Sequence, residues 1–263
     1  MKWVHKLQRY FIPSSDFEGD QVFIKGDDVH HIIRVMRNKV GDHIICNNDH
    51  AQAALCRIIE MKDDAVYAIV EKWLDESVEL PVAVTIAQGI PKGDKFELIL
   101  QKGTELGADS FIPFQAERSV AVWDPKKLEK KMKRFNKIVK EASEQSHRNK
   151  VPAIDNAMSI QALIEESKNF NVKLFAYEEE AKVSDYKSFG TIIINALLPN
   201  QSLLVCIGPE GGFSLKEAEL LKEEGFHPVR LGPRILRTET AALYVLASIS
   251  YHFEELRCDE CQQ

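Results

Sequence analysis

Hydrophobic and polar positions alternate with two different rhythms along this chain. Up to about residue 73 the apolar residues come in short runs rich in β-branched and aromatic side chains: "QRYFI" (8–12), "QVFIKG" (21–26), "DHIICNND" (42–49), "AQAALCRIIE" (51–60) and "AVYAIVEKWL" (65–74). Turn-forming residues separate them, which predicts strands. One segment, "DDVHHIIRVMR" (27–37), breaks the series and reads as a helix. The pattern describes a small barrel-like β module over residues 1–73. "DESVELP" (75–81) is acidic and ends in proline, so it reads as a linker.

Beyond residue 81 strand and helix patterns alternate. "VAVTIAQGI" (82–90), "DSFIPF" (109–114), "NVKLFAY" (171–177), "SLLVCIG" (202–208) and "HPVRLG" (227–232) predict strands. "GDKFELILQKGTELG" (93–107) predicts a helix with Asp94 as its cap and Gly107 as its left-handed stop. "DPKKLEKKMKRFNKIVKEASEQS" (124–146) predicts a long helix with Asp124 at the cap and Pro125 at the first helical position. In "SLKEAELLKEEG" (214–225) Ser214 and Glu217 have capping-box spacing and Gly225 ends the helix. "TETAALYVLASISYHFEEL" (238–256), with Thr238 as its expected N-cap, is apolar almost all round at first and so predicts a buried helix. Such alternation implies an α/β domain over residues 81–257, with a parallel sheet covered on both faces.

Composition narrows the class. The chain has 263 residues, 44% hydrophobic and 28% charged, a soluble globular balance. Its N-terminus has no apolar leader core, and no apolar run is long enough to span a bilayer. Five scattered cysteines fit free thiols in a reducing cytoplasm, and "CDEC" (258–261) reads as a tail without a partner pair. His30 and His31 lack a further spaced ligand, so they read as a packing pair and no metal site is expected. The net charge of −6 argues weakly against a nucleic-acid partner, yet residues 117–150 hold eleven Lys/Arg against five Asp/Glu. Affinity for nucleic acid depends on such a local patch rather than on the whole-chain sum. A solvated helix face is the alternative.

Two turns share an apolar-Gly-Pro opening: "IGPEGGFS" (207–214) and "LGPRILRTET" (231–240). In a parallel sheet, ligands bind beyond the carboxyl ends of the strands. Neither turn matches a dinucleotide fingerprint or a Walker loop. Glu210 would repel a phosphate, and a carboxylate beside exposed backbone suits a ligand with hydroxyls or positive charge, such as S-adenosylmethionine. Two tight turns that serve only packing remain the alternative.

Together, "HHIIRVMRNKVGD" (30–42), "KGDKFELILQKGTELG" (92–107), "IPFQAERSV" (112–120), "EASEQSHRNKVP" (141–152), "IGPEGGFS" and "LGPRILRTETAALYVLA" (231–247) resemble the SPOUT methyltransferases, and closely the RsmE family, which methylates N3 of a uridine in 16S ribosomal RNA. The resemblance implies an N-terminal PUA-like barrel that binds RNA. It also implies a C-terminal α/β domain with a deep trefoil knot and a homodimer paired through the knot. It assigns cofactor contacts to Gly208, Pro209, Glu210 and Gly211 on one wall and to Leu231, Gly232, Leu236 and Thr238 on the other, with Tyr177 approaching from a third loop.

Uracil N3 carries a proton and lies on the Watson–Crick edge, so the base must be unpaired or flipped and the charge left on the ring stabilised. Arg237 is the first candidate for that task, then Arg148 and Arg118; Glu105 and Glu239 are candidate bases. Glu105 reads equally as an ion-pair partner of Lys102. Arg9, Arg34, Arg37, Lys39 and Arg118, with the basic helix at 126–140, are the expected RNA contacts. The expected partner is 16S rRNA within the small ribosomal subunit, with no membrane partner. Competing readings are a ribose 2′-O methyltransferase of the same fold and a non-catalytic RNA-binding assembly factor. The absence of a G-x-S-x-G elbow argues against a hydrolase.

Overall fold

The computed structural model describes residues 7–75, 77–177 and 188–256, so "CDEC" lies outside the described residues. The chain forms two compact units. One comprises the described residues up to Glu79 together with Lys140–Val151; the other comprises Leu80–Val139 and the described residues from Pro152 onward.

The first unit contains β1 (Arg9–Phe11), β2 (Phe17–Glu18), β3 (Gln21–Lys25), α1 (Asp27–His30), β4 (His43–Asn47), β5 (Ala53–Met61) and β6 (Ala65–Leu74). Its six strands run in the order β1-β4-β5-β6-β3-β2. All neighbours are antiparallel except β1 and β4. Alternation along β3 buries Val22 and Ile24, which join Tyr10, Ile32, Ile44 and Ile58 in one core. α1 continues into a π turn at His31–Val35, and there Tyr10 Oη lies 3.1 Å from His31 Nδ1. His31 is thus engaged in a hydrogen bond.

The segment Lys140–Val151 belongs to this unit for reasons invisible in local pattern. Lys140 Nζ lies 2.5 Å from Asp28 Oδ1 and 2.8 Å from Glu144 Oε1. Asn47 Nδ2 donates to the Arg148 carbonyl at 2.8 Å, and the Glu79 carboxylate accepts from the Arg148 guanidinium and from Asn149 N. A division made at the 75–81 linker alone leaves this return segment out.

The second unit contains β7 (Ala83–Gly89), α2 (Lys95–Glu105), β8 (Ser110–Gln115), α3 (Pro125–Gln145), β9 (Ala153–Ile154), β10 (Met158–Ser159), α4 (Ile160–Glu166), β11 (Val172–Ala176), α5 (Phe189–Ala196), β12 (Ser202–Ile207), α6 (Leu215–Glu223), β13 (His227–Val229) and α7 (Thr238–Ser250). The last turns of α3 are counted with the first unit. The seven strands form one sheet in the order β10-β8-β7-β12-β11-β13, with β9 beside β8. Every pair is parallel.

Parallel strands buried on both faces read as continuous apolar runs, and β7 and β12 do. On one face Ile112, Phe114, Leu204 and Cys206 pack with Leu163 of α4 and Leu221 of α6. On the other, Gly103 of α2 lies against both Phe111 and Leu246 of α7, and the two helices pack on each other. Phe111 and Ile112 are adjacent in a strand, so they must point to opposite faces.

The helix ends test the sequence reading. Ser214 and Glu217 form the capping box, and Asp124 Oδ1 accepts from Lys126 N at 3.0 Å. Gly107 (φ 89°) and Gly225 (φ 81°) occupy the left-handed stops. Asp94 sits at its cap position without a side-chain cap bond. Thr238 is not a cap: Arg237 occupies that position, and Thr238 is the first helical residue with its hydroxyl turned to other partners. Two short helices were not anticipated, α4 capped by Ser159 and α5 capped by Ser188. Ser214→Ala is expected to lower stability by about 1 kcal/mol, whereas Asp94→Ala stays within about 0.5 kcal/mol; urea unfolding of both variants beside the wild type checks the contrast.

Candidate active site

β12 ends at Ile207, and the chain turns at once through Gly208, Pro209, Glu210, Gly211 and Gly212 before α6. Gly212 has φ 65° and donates its N–H back to the Pro209 carbonyl at 2.9 Å. The turn presses against the end of β7. A Cβ on Gly89 would lie 2.6 Å from Pro209 Cδ and 2.7 Å from Pro209 N, so no larger residue fits there without moving the loop. A Cβ on Gly211 would lie 2.9 Å from Arg118 Cβ. Arg118 Nη1 donates to the Gly211 carbonyl at 3.2 Å. The α6 capping glutamate fastens the same corner from beneath. Glu217 accepts Ser214 N with one oxygen and Glu117 N with the other, both at 2.8 Å.

The second apolar-Gly-Pro turn follows β13. Leu231 is buried, and Gly232 has φ 79°. A Cβ there would meet nothing nearer than the Tyr244 hydroxyl at 3.8 Å, so the backbone at Gly232 stands beside open space. Leu236 is half-buried, and Arg237 is exposed, its carbonyl accepting from Ala241 N at 2.9 Å and its guanidinium without a hydrogen bond or ion pair to the described residues. Thr238 joins the two turns: its hydroxyl donates to the Gly208 carbonyl at 2.6 Å and accepts from Gln88 Nε2 at 2.8 Å. Gln88 Nε2 also reaches the Gly89 carbonyl at 2.9 Å. Tyr177 N donates to the Val229 carbonyl at 3.1 Å, which brings the end of β11 to the strand leading into the second turn.

The charges at this end of the sheet are arranged around one lysine. Lys95 Nζ lies 2.7 Å from Glu210 Oε1 and 3.6 Å from Glu239 Oε2. Lys92 N also donates to Glu210 Oε1, at 3.2 Å. Burial pushes the Glu210 carboxyl up, but the hydrogen bonds from Lys95 and from backbone N–H groups outweigh it and hold the group below its ordinary range. The same hydrogen bond raises Lys95. Two carboxylates thus share one ammonium. Turns with exposed backbone and carboxylates beside them fit a nucleoside that carries a sulfonium.

The structure gathers Gly208, Pro209, Glu210, Gly211, Thr238, Glu239 and Arg118 around the first turn, and Leu231, Gly232, Leu236 and Arg237 on the second. It does not bring Glu105 to them. That residue ends α2, about 15 Å from Lys95 by helix rise, and its carboxylate pairs with Lys102 Nζ at 2.8 and 3.0 Å. Arg148 belongs to the first unit, 3% exposed and paired with Glu79. Arg9 is 2% exposed, so its guanidinium is closed to an RNA backbone in this state. Arg34, Arg37 and Lys39 are exposed, Arg37 in the left-handed region at φ 55°.

Gln88, Lys95 and Glu217 were missed from sequence. Lys95 left one signal, because a lysine in the first turn of a helix opposes the helix dipole and needs a nearby carboxylate. Among the described residues no cluster of three or more His, Cys, Asp or Glu is placed to hold a metal, and no helix is long and apolar enough to cross a membrane.

Comparison with known proteins agrees with this geometry. Residues 78–250 match the RNA methyltransferase domain family, and residues 24–71 match the RNA methyltransferase PUA domain. The chain is 48% identical over 257 residues to ribosomal RNA small subunit methyltransferase E of Bacillus subtilis, covering 97% of this chain and 100% of that one. The protein of that name from Neisseria gonorrhoeae, solved bound to S-adenosylmethionine, is 28% identical and superposes with a TM-score of 0.82 over 94% of this chain and 98% of its own. A Legionella pneumophila protein solved in complex with the same cofactor gives 28% and 0.81 over the same shares. With an N-terminal PUA domain, a parallel α/β methyltransferase domain and two facing glycine turns, the chain belongs to the ribosomal RNA small subunit methyltransferase E family.

Proposed function

We propose that this protein methylates N3 of a uridine in 16S ribosomal RNA, within the small ribosomal subunit and in the cytoplasm. The observation that carries the proposal is the second turn. Thr238 is anchored on Gly208, which leaves Arg237, one residue earlier, exposed with its guanidinium unengaged by the described residues at the rim of the cofactor turns.

S-adenosylmethionine supplies an electrophilic methyl on a sulfonium when bound. Gly208, Pro209, Glu210 and Gly211 hold it on one side and Leu231, Gly232, Leu236 and Thr238 on the other, with Tyr177 at the adenosine end. The remaining task is the acceptor. Arg237 forks onto the uracil carbonyl oxygens and stabilises the negative charge that appears as the N3 proton leaves, a role suited to a group that stays cationic. Glu239, two residues on and 15% exposed, faces Lys95 at 3.6 Å, so in this proposal it shapes the site and the N3 proton passes to water. Arg118, exposed beside the first turn with its guanidinium donating to the Gly211 carbonyl, is the RNA phosphate contact in this proposal.

In this proposal residues 1–73 bind RNA through Arg34, Arg37 and Lys39, and residues 81–257 carry the chemistry. The proposal includes a trefoil knot and a homodimer. The knot rests on the family resemblance, and the exposed Ile235 and Tyr244 at the second turn support a paired surface.

Incubating labelled S-adenosylmethionine with small subunits that lack the modification, then separating the nucleosides, should place the label in 3-methyluridine. Label in a 2′-O-methylated nucleoside would overturn the base assignment. Arg237→Ala should lower kcat by about a hundredfold, the scale of losing one charge-stabilising donor, with little change in cofactor Kd. Gly89→Ala should act the other way: displacement of Pro209 costs about 1–3 kcal/mol, so cofactor Kd rises by about tenfold or more in a calorimetric titration.

A further inference from the structure

We propose that Lys95 is a positioning residue for the methyl-donor site, its ammonium clamping Glu210 of the first turn and Glu239 at the start of α7 so that the two cofactor walls keep one spacing. The inference rests on the assignment of the two turns as those walls.

The geometry has three parts. Glu210 Oε1 accepts from both Lys95 Nζ at 2.7 Å and Lys92 N at 3.2 Å, so it is fastened to the beginning of α2. Glu239 Oε2 is buried without a hydrogen-bond partner, and Lys95, at 3.6 Å, is the cation that faces it. A buried carboxylate oxygen in that state is strongly unfavourable unless a counter-charge is near. Lys95 itself sits in the first turn of α2, where the helix dipole disfavours a cation. The two carboxylates compensate for that position.

The consequence lies in what happens without the ammonium. Glu210 and Glu239 would then be two carboxylates sharing one small region with no cation between them, and their repulsion would push the first turn away from α7. The walls would part, and the donor would bind less well. The acceptor chemistry at Arg237 would stay intact once the donor was bound. Lys95 touches no reacting atom in this scheme and acts only through the two glutamates.

The test compares Lys95→Met and Lys95→Arg in the full-length protein, with thermal melting to confirm folding. In calorimetric titration with S-adenosylmethionine, Lys95→Met should raise Kd by about tenfold, the scale expected for losing a charge-assisted bond, while Lys95→Arg stays within about threefold of wild type. At saturating cofactor, kcat of Lys95→Met should stay within a few-fold of wild type. Glu239→Gln should weaken binding in the wild-type background, where Lys95 loses a partner, yet recover part of the loss in Lys95→Met, where it removes the repulsion between the two carboxylates. Unchanged Kd in Lys95→Met, equal losses in the Met and Arg variants, strict additivity with Glu239→Gln, or a fall in kcat with Kd intact would each overturn the role. A wild-type protein whose binding is untouched by Gly89→Ala and by substitutions in the two turns would remove the wall assignment instead, and this role with it.

Discussion

The bond from the Thr238 hydroxyl to the Gly208 carbonyl is the constraint on which the rest of the site depends. It joins residues thirty positions apart, and Gln88, a further 120 residues before Gly208, completes the junction. Each partner is buried, so each bond is made in a low-dielectric setting where an unmade one would be costly. Three chain segments therefore meet at one point: the end of the central strand β7, the turn after β12, and the start of α7. That meeting point fixes where Arg237 leaves the protein surface. An arginine at a helix cap position on a free loop would sweep a wide volume. Here the following residue is pinned from two sides, so the guanidinium starts from a defined origin.

Charge is distributed by region rather than in total. The chain is acidic overall, but Arg34, Arg37 and Lys39 are exposed together on one loop of the first unit. In the second unit Glu210 and Glu239 flank a single lysine beyond the carboxyl ends of the strands. A polyanionic substrate and a cationic donor need opposite environments, and this chain provides both within a negative sum.

Local signals in the sequence were legible wherever a residue's partner lies within one turn of chain. The capping box at Ser214 and Glu217, the stops at Gly107 and Gly225, and the strands up to residue 74 all depend on neighbours a few positions away. The errors share one cause. Thr238 looks like an N-cap because threonine before an apolar run normally is one, but a carbonyl at the end of β12 takes its hydroxyl. Glu217 reads as an ordinary capping residue, yet its second oxygen serves Glu117, a hundred positions away. Arg9 reads as an RNA contact and Arg148 as a charge-stabilising arginine of the site, and both are buried. The two-residue strands β9 and β10 are too short to produce a period. The glycine turns were found by composition. Why Gly89 must be glycine was not, because Pro209 is distant in sequence.

The position of β12 within its sheet also bears on the order in which the protein can be made. β12 lies between β7 and β11, and without it the sheet falls into two pieces that share no ladder. Its residues are 202–207, so a chain emerging from the ribosome cannot close the sheet until about four-fifths of its length is out. The first unit draws only on residues up to 151 and can consolidate well before that. Long-range parallel pairing is slow because the loop must close before any ladder bond rewards it. During that interval β7 waits with one edge unpaired, so the growing chain is most exposed to misassembly just before the strand that ends in the glycine turn is added.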